Sequence, residues 1–365
     1  MAYTTINKST DHFTTTLWTG DNTTPKTFTT GTFKPDFLWG KNRSQAYNHQ
    51  VYDTTRGAGN NKEIETSSTG AEGASNPEIY GYVSAFTSTG FTATKGSDAA
   101  GYDYWNENPD NYVAWSWKAN GGTTSSNSDG SITSTVQANT TAGFSIVKYT
   151  GTGANATVGH GLGAAPKMII FKNTNSTRDW GVYHAAMNDP DAYLTFNQDY
   201  AKEDSYNFSN NTAPTSSVFS VGTDTNANES GSGHIAYCFA EKKGYSKFGS
   251  YTGNGNADGP FIYLGFKPKY FLLKNATASS GSSGQHWQIA DTVRHPENPV
   301  DANLIAESNS PDGNTWSIKD FLSNGVKIRG TNFAMNTSGD TYIYMAFAEE
   351  PLVANVGQGI PATAR

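Results

Sequence analysis

Hydrophobic positions recur along this chain in two patterns. The first is strict alternation, seen at Tyr112–Trp117, His234–Phe239 and Tyr342–Phe347. Val113, Trp115 and Trp117, then Ile235, Tyr237 and Phe239, then Ile343, Met345 and Phe347 fall on one face of a strand, whose side chains repeat every two residues. The other face is small: Ala114 and Ser116, Ala236 and Cys238, Ala346 and Ala348. The large face predicts a core, and the small face predicts a second layer close against it. The second pattern is an unbroken apolar run after a proline: Phe37–Trp39, Met168–Phe171 and Tyr270–Leu273. A run that does not alternate predicts a central strand buried on both faces. Proline suits its start, where no ladder donor is needed.

The two patterns belong to one repeat. Each unit opens with aromatic-Thr-Gly: Trp18-Thr19-Gly20, Tyr149-Thr150-Gly151 and Tyr251-Thr252-Gly253. From that Gly to Pro35, Pro166 or Pro268 is 15 residues each time, and 6 more lead to Lys41, Lys172 or Lys274, each followed by Asn. Downstream, Trp180-Gly181-Val182 matches Trp287-Gln288-Ile289, with His49-Gln50-Val51 in the corresponding place. The glycine is expected to supply a positive φ in a turn. The boundaries that follow are a first β-repeat domain over 1–120, a polar linker over 121–143 with a short strand near 131–136, a second domain over 144–242, a third over 243–352 and an extended arm over 353–365. The expected fold class is all-β: three tandem related β-sandwich domains of the jelly-roll or lectin-like kind.

Composition sharpens this. Among 365 residues, charged residues make up only 16%, against ~25% in ordinary soluble domains, while Gly is abundant and aromatics reach 13%. A surface kept soluble by Thr, Ser and Asn suits proteins outside cells or on virus particles. Net charge of -7 argues against nucleic acid as a partner. One cysteine, Cys238, precludes an intrachain disulfide. Neither a secretory signal nor an apolar stretch near the ~20 residues of a membrane helix is visible, so no membrane insertion is expected.

Candidate chemistry is thin. His160 reads as a turn residue, because the other repeats carry no His there. Cys238 aligns with Ser116 and Ala346 as a small filler. Glu241, Glu349 and Glu350 follow closing strands, with Lys118 near that place in the first repeat, and strand-end acids are usually solvated rather than paired in a cleft. The repeated Lys-Asn reads as a structural turn, since one active site rarely needs three copies. Asp189-Pro190-Asp191 could offer oxygen ligands to calcium, but no loop of calcium-binding spacing surrounds it. The expectation is therefore no catalytic residue, no metal and no cofactor. One loop stands out. Only the first repeat packs Tyr102, Tyr104 and Trp105 beside acids before its closing strand. Exposed aromatics usually mark a contact. The residues are expected to sit in an intersubunit or host-facing interface, or to cover their own domain; such rings also suit stacking on sugars.

Several stretches, Gly143–Gly151, Gly159–Met168, His234–Glu241, Tyr342–Val353 and Gly359–Arg365, resemble repeat proteins of marine tailed phages such as cyanophages. That family is described as tail-fibre-like, as concanavalin-like or as a domain of unknown function. The resemblance covers nearly the whole chain and is weakest over 54–110. It implies a non-enzymatic virion structural protein. The leading expectation is a surface appendage, a tail fibre, adhesin or head fibre that contacts the host surface. A capsid decoration or cement protein is the alternative, and a glycan-degrading tailspike a third option. The partners implied are other virion proteins, further copies of itself (a trimer among the options) and a host-surface glycan or protein. The repeat begins almost at Met1, so no N-terminal anchoring domain or coiled-coil shaft is visible.

Overall fold

A computed structural model of the chain describes residues 4–277, 285–313 and 316–351; the expected arm over 353–365 lies outside them. The described residues are nearly all β. Each repeat builds an antiparallel sheet in the same strand order. In the first, the opening strand Phe13–Thr19 pairs with the closing strand Asn111–Trp117, followed by the central strand Phe37–Asn42, then Gln50–Asp53 and Ile64–Glu65. The third repeats this order with Ser246–Thr252, Thr341–Ala348, Pro268–Asn275, Gln288–Asp291 and Leu304–Ile305. In the second, the equivalent sheet runs Phe144–Thr150, Gly233–Phe239, Met168–Asn173, Gly181–His184 and Ala192–Thr195, and grows at both edges. The stretch read as a polar linker supplies two of the added strands, Ser125–Asn127 and Ser134–Asn139. The second overlaps the short strand expected near 131–136; the first lies at the sheet edge with two of its three residues exposed, and its polarity hid it. Register is equivalent throughout: Trp39 lies opposite Trp115, Ile170 opposite Tyr237 and Leu272 opposite Met345.

A small second sheet covers the small-residue face of each closing strand, so each repeat is a two-sheet sandwich. Its filling is conserved in volume rather than identity. One residue before the repeated lysine stand Gly40, Phe171 and Leu273; seven before the closing-strand aromatic or His stand Trp105, Ala227 and Met335, all buried. The large ring of Trp105 faces the glycine, and a Cβ on Gly40 would come within 2.4 Å of it. Large against small, small against large and medium against medium keep the interior close-packed.

The aromatic-Thr-Gly glycines are not there for a positive φ, contrary to expectation. Gly20, Gly151 and Gly253 are absent from the left-handed region, and a Cβ on each would lie 1.9, 2.3 and 2.1 Å from the carbonyl oxygens of Glu107, Glu229 and Thr337. The loop before the closing strand runs against this point and is pinned by a buried asparagine. Asn106, Asn228 and Asn336 each accept from the amide after the glycine, that of Asp21, Thr152 or Asn254, at 2.8–3.2 Å. The Nδ2 groups of Asn228 and Asn336 each donate to two backbone carbonyls, Asn228 reaching Ala154 and Gly222 at 2.7 and 2.6 Å, while that of Asn106 donates to the Thr23 carbonyl and to Asp21 Oδ1. Truncating such a group strands buried backbone partners. Asn228→Ala is expected to lower stability by about 1–3 kcal/mol in chemical denaturation, with an unchanged m-value.

The large faces of the three closing strands meet in one shared cluster. Trp117, Phe239 and Phe347 form a triangle with ring-centroid separations of 6.3, 5.7 and 6.2 Å. Near-equal sides around three equivalent residues place a pseudo-threefold axis through this point. Polar links between repeats follow the same cycle. Asp53 accepts from Tyr237 at 2.8 Å, the His184 imidazole lies 3.1 Å from the carbonyl oxygen of Tyr344, and Asp291 accepts from the Trp115 indole at 3.2 Å. These three residues occupy one equivalent position, so first meets second, second meets third and third meets first. No helix of the described residues is long and apolar enough to cross a membrane.

Candidate functional site

The repeated Lys-Asn does two jobs. The asparagine makes the expected turn: Asn42 Oδ1 accepts from Ser44 and Gln45 amides, and Asn173 Oδ1 from Asn175 and Ser176 amides, at 2.8–3.0 Å. The lysine is not a turn residue. Lys41, Lys172 and Lys274 are buried, and each ammonium donates to a carbonyl of a neighbouring repeat, those of Asn309, Thr69 and Gln198 at 3.2, 2.9 and 3.4 Å. Beside them the indoles of Trp180 and Trp287 donate across the same boundaries to Glu65 and Thr195 carbonyls at 2.9 and 3.0 Å. These lysines latch the ring; they do not form a site.

Burial disfavours their charge and pulls Lys41 and Lys172 down to about 7 and Lys274 to about 8. In the unfolded chain they titrate near 10.5, so between these values the unfolded state binds more protons and stability rises with pH. Glu63, which burial raises to about 7, opposes this rise only at lower pH and has titrated by pH 8. The unfolding free energy is therefore expected to increase from pH 8 to 9, and Lys172→Met should flatten that slope in denaturation curves taken across the range.

The other candidate residues hold structure. The His160 imidazole is buried, accepting from the Leu162 amide at 3.2 Å with its Nε2 3.1 Å from the Thr215 carbonyl oxygen. Cys238 sits inside the second sandwich, where burial pushes its thiol up, away from the reactive thiolate. Glu241 accepts from the Phe248 amide, Glu349 pairs with Lys267 and Glu350 accepts from the Ser9 amide. Asp189 accepts from the Asp191 amide and Asp191 from that of Asn211. Among the described residues no group of three His, Cys, Asp or Glu is placed to hold a metal ion.

The aromatic loop of the first repeat divides. Trp105 is 1% exposed and belongs to its own sandwich core, so it offers nothing to a partner. Its indole lies 5.2 Å from the Phe91 ring. Tyr102 is 49% exposed, and Tyr104 is half-buried. Together with Tyr47 and Tyr80 they line an open pocket of about 310 Å³. Tyr47 stands on edge to Tyr102 at 88° and to Tyr104 at 80°, and Tyr80 is tilted at 57° to Tyr104, with centroids 5.5–6.2 Å apart.

Local structure fixes these rings. Tyr47 lies in the turn after the central strand and donates to Glu107 Oε2 at 2.7 Å. Tyr80 ends the short helix Pro77–Tyr80, and its carbonyl accepts from the Tyr104 amide at 2.8 Å. Asp98 holds the Tyr102 amide at 3.1 Å, and the Asp103 carboxylate caps the turn by accepting from Trp105 at 2.9 Å. Burial, then the Glu107 carboxylate, push the Tyr47 phenol well above its ordinary value, and burial does the same to Tyr104. Both rings stay neutral across the ordinary pH range. Tyr47 and Tyr80 were missed in sequence because they come from separate segments, one inside 54–110, where the repeats diverge most. The one available signal was Tyr47 itself, two residues before His49, where the second repeat has Arg178 and the third Gln285.

No curated protein and no solved structure matches the chain. A family model described as a domain of unknown function, DUF7483, matches residues 8–351 and so takes in all three repeats: the chain belongs to that family.

Proposed function

We propose that the chain is a non-enzymatic surface component of a phage particle, an appendage that contacts the host through the tyrosine pocket of its first repeat. The observation that carries this reading is an asymmetry. Three repeats share strand order, glycine approach, asparagine clamp and lysine latch, which are needs of the fold. Among the described residues the four-tyrosine pocket is built by the first repeat, combines an exposed ring with three half-buried ones and is required by none of those shared contacts. Exposed aromatic surface held on a rigid scaffold is a usual anchor for recognition. The resemblance to marine phage repeat proteins, and a surface rich in Thr, Ser and Asn, support the virion setting.

Placement on the particle tests it. Gold-labelled antibody against the chain, with copy number read from stained gels of purified particles, is expected to mark an appendage at a small multiple of three or six copies. Hundreds of copies spread over the shell would replace this reading with a decoration protein, and absence from particles would end it.

A further inference from the structure

We propose that the tyrosine pocket binds a quaternary or trimethylated ammonium group of the choline type. The inference rests on the host-contact reading above and names the ligand class of that same site. Three features support it. The first is shape. Ring planes inclined at 57–88° to one another around the pocket build a box rather than a flat platform. A box of aromatic faces surrounds a compact cation, whereas a sugar stacks on a single face. The volume of about 310 Å³ is at the low end for small-molecule sites, which suits one compact headgroup.

The second feature is the field. Glu107 holds the Tyr47 hydroxyl, Asp98 sits on the Tyr102 amide, and Glu65 and, where ionised, Glu63 act electrostatically on Tyr104. Against them stands Lys95, whose ammonium approaches Gly101 and acts on Asp103. The balance favours a positive guest. A methylated ammonium gives up less hydration on entering an apolar box than a primary ammonium does, and cannot simply form a salt bridge outside it.

The third feature is internal. The segment from the turn asparagine to His49 or Trp180 has the same length in the first two repeats, so Tyr47 and Arg178 are equivalent, as are Glu107 and Glu229. In the second repeat the Arg178 guanidinium occupies this place and pairs with Glu229 at 2.5 Å. The scaffold thus already places a cation beside this carboxylate. The first repeat keeps the carboxylate, replaces the arginine by a ring and leaves an open pocket.

Calorimetric titration of the purified full chain tests this with choline chloride, tetramethylammonium chloride, methyl glucoside and 3,3-dimethylbutan-1-ol, the neutral isostere of choline, at constant ionic strength. Choline is expected to bind at least tenfold more tightly than the isostere. Tyr102→Leu, at an exposed position that the fold does not need, should weaken it at least fivefold with an unchanged melting transition, and Glu107→Gln should weaken the ammonium probes selectively. Equal binding of choline and isostere, or binding of the glucoside alone, would overturn the ligand class while leaving host contact standing. No binding of any probe would also overturn it. Host contact through this pocket is tested separately, and normal adsorption of particles carrying Tyr102→Ser would overturn it.

Discussion

Phe239→Ala is expected to destabilise the whole chain by about 3–5 kcal/mol, the range for truncating a large buried aromatic. Phe239 is buried on the large face of its closing strand, with its ring 4.9 Å from Phe144 and 6.2 Å from both Phe248 and Phe347, and 6.3 Å from Trp117. Its contacts therefore belong to all three repeats. Neighbours drawn from three sheets cannot collapse into the cavity without moving the sheets, which places the cost toward the upper end. Because the core is shared, the loss should appear in one cooperative transition, not as early melting of the second repeat alone. Denaturant unfolding followed by tryptophan fluorescence reads this, since Trp39, Trp115 and Trp117 lie in the first repeat and Trp287 in the third. A transition in which the indoles of the first repeat keep their wild-type midpoint would show that the repeats do not depend on one another.

Arg56→Met should cost a similar amount, about 3–5 kcal/mol, by a different route. Arg56 and Asp53 are buried together, with Arg56 Nε donating to Asp53 Oδ2 at 2.5 Å while Tyr237 of the next repeat donates to the same oxygen. The guanidinium also reaches the carbonyls of Lys62 and Val51. Removing it leaves a buried carboxylate without its cation and takes a donor from two carbonyls. The effect is a penalty for breaking the pair rather than the net worth of the pair, so the double variant Asp53→Asn with Arg56→Met should recover part of the loss. A double variant as unstable as the sum of its single changes would contradict this electrostatic account.

The legible part of the fold was the part that repeats in the sequence. Alternation in Asn111–Trp117 and its equivalents gave both faces of the closing strands, and the small face does carry a second layer. The repeat could not reveal where the large faces point, because a strand's period is the same whether it packs on its own partner sheet or on two neighbouring repeats. The same limit applies to Lys41, Lys172 and Lys274: a lysine after a strand is ordinarily solvated, and only the ring closure buries it. The pair Asp53–Arg56 recurs as Asp291–Arg294, three residues apart in both, and this spacing was visible though its burial was not. The asparagine clamp was also within reach, six residues before Tyr112, His234 and Tyr342.

The site was half legible. The loop aromatics pointed to Tyr102 and Tyr104, which line the pocket, but Trp105 is drawn inward by the missing side chain of Gly40, far away in sequence. Tyr47 and Tyr80 complete the pocket from turns with no shared pattern. A site unique to one repeat is the kind of feature that a search for repetition passes over.

The most direct test of the account is binding of the labelled, purified chain to host cells, comparing the wild type with Tyr80→Ser and Tyr102→Ser. Saturable binding by the wild type, at least a tenfold loss for each variant and unchanged melting curves for all three proteins are expected. Equal binding by wild type and variants would contradict the assignment of host contact to the first repeat's pocket.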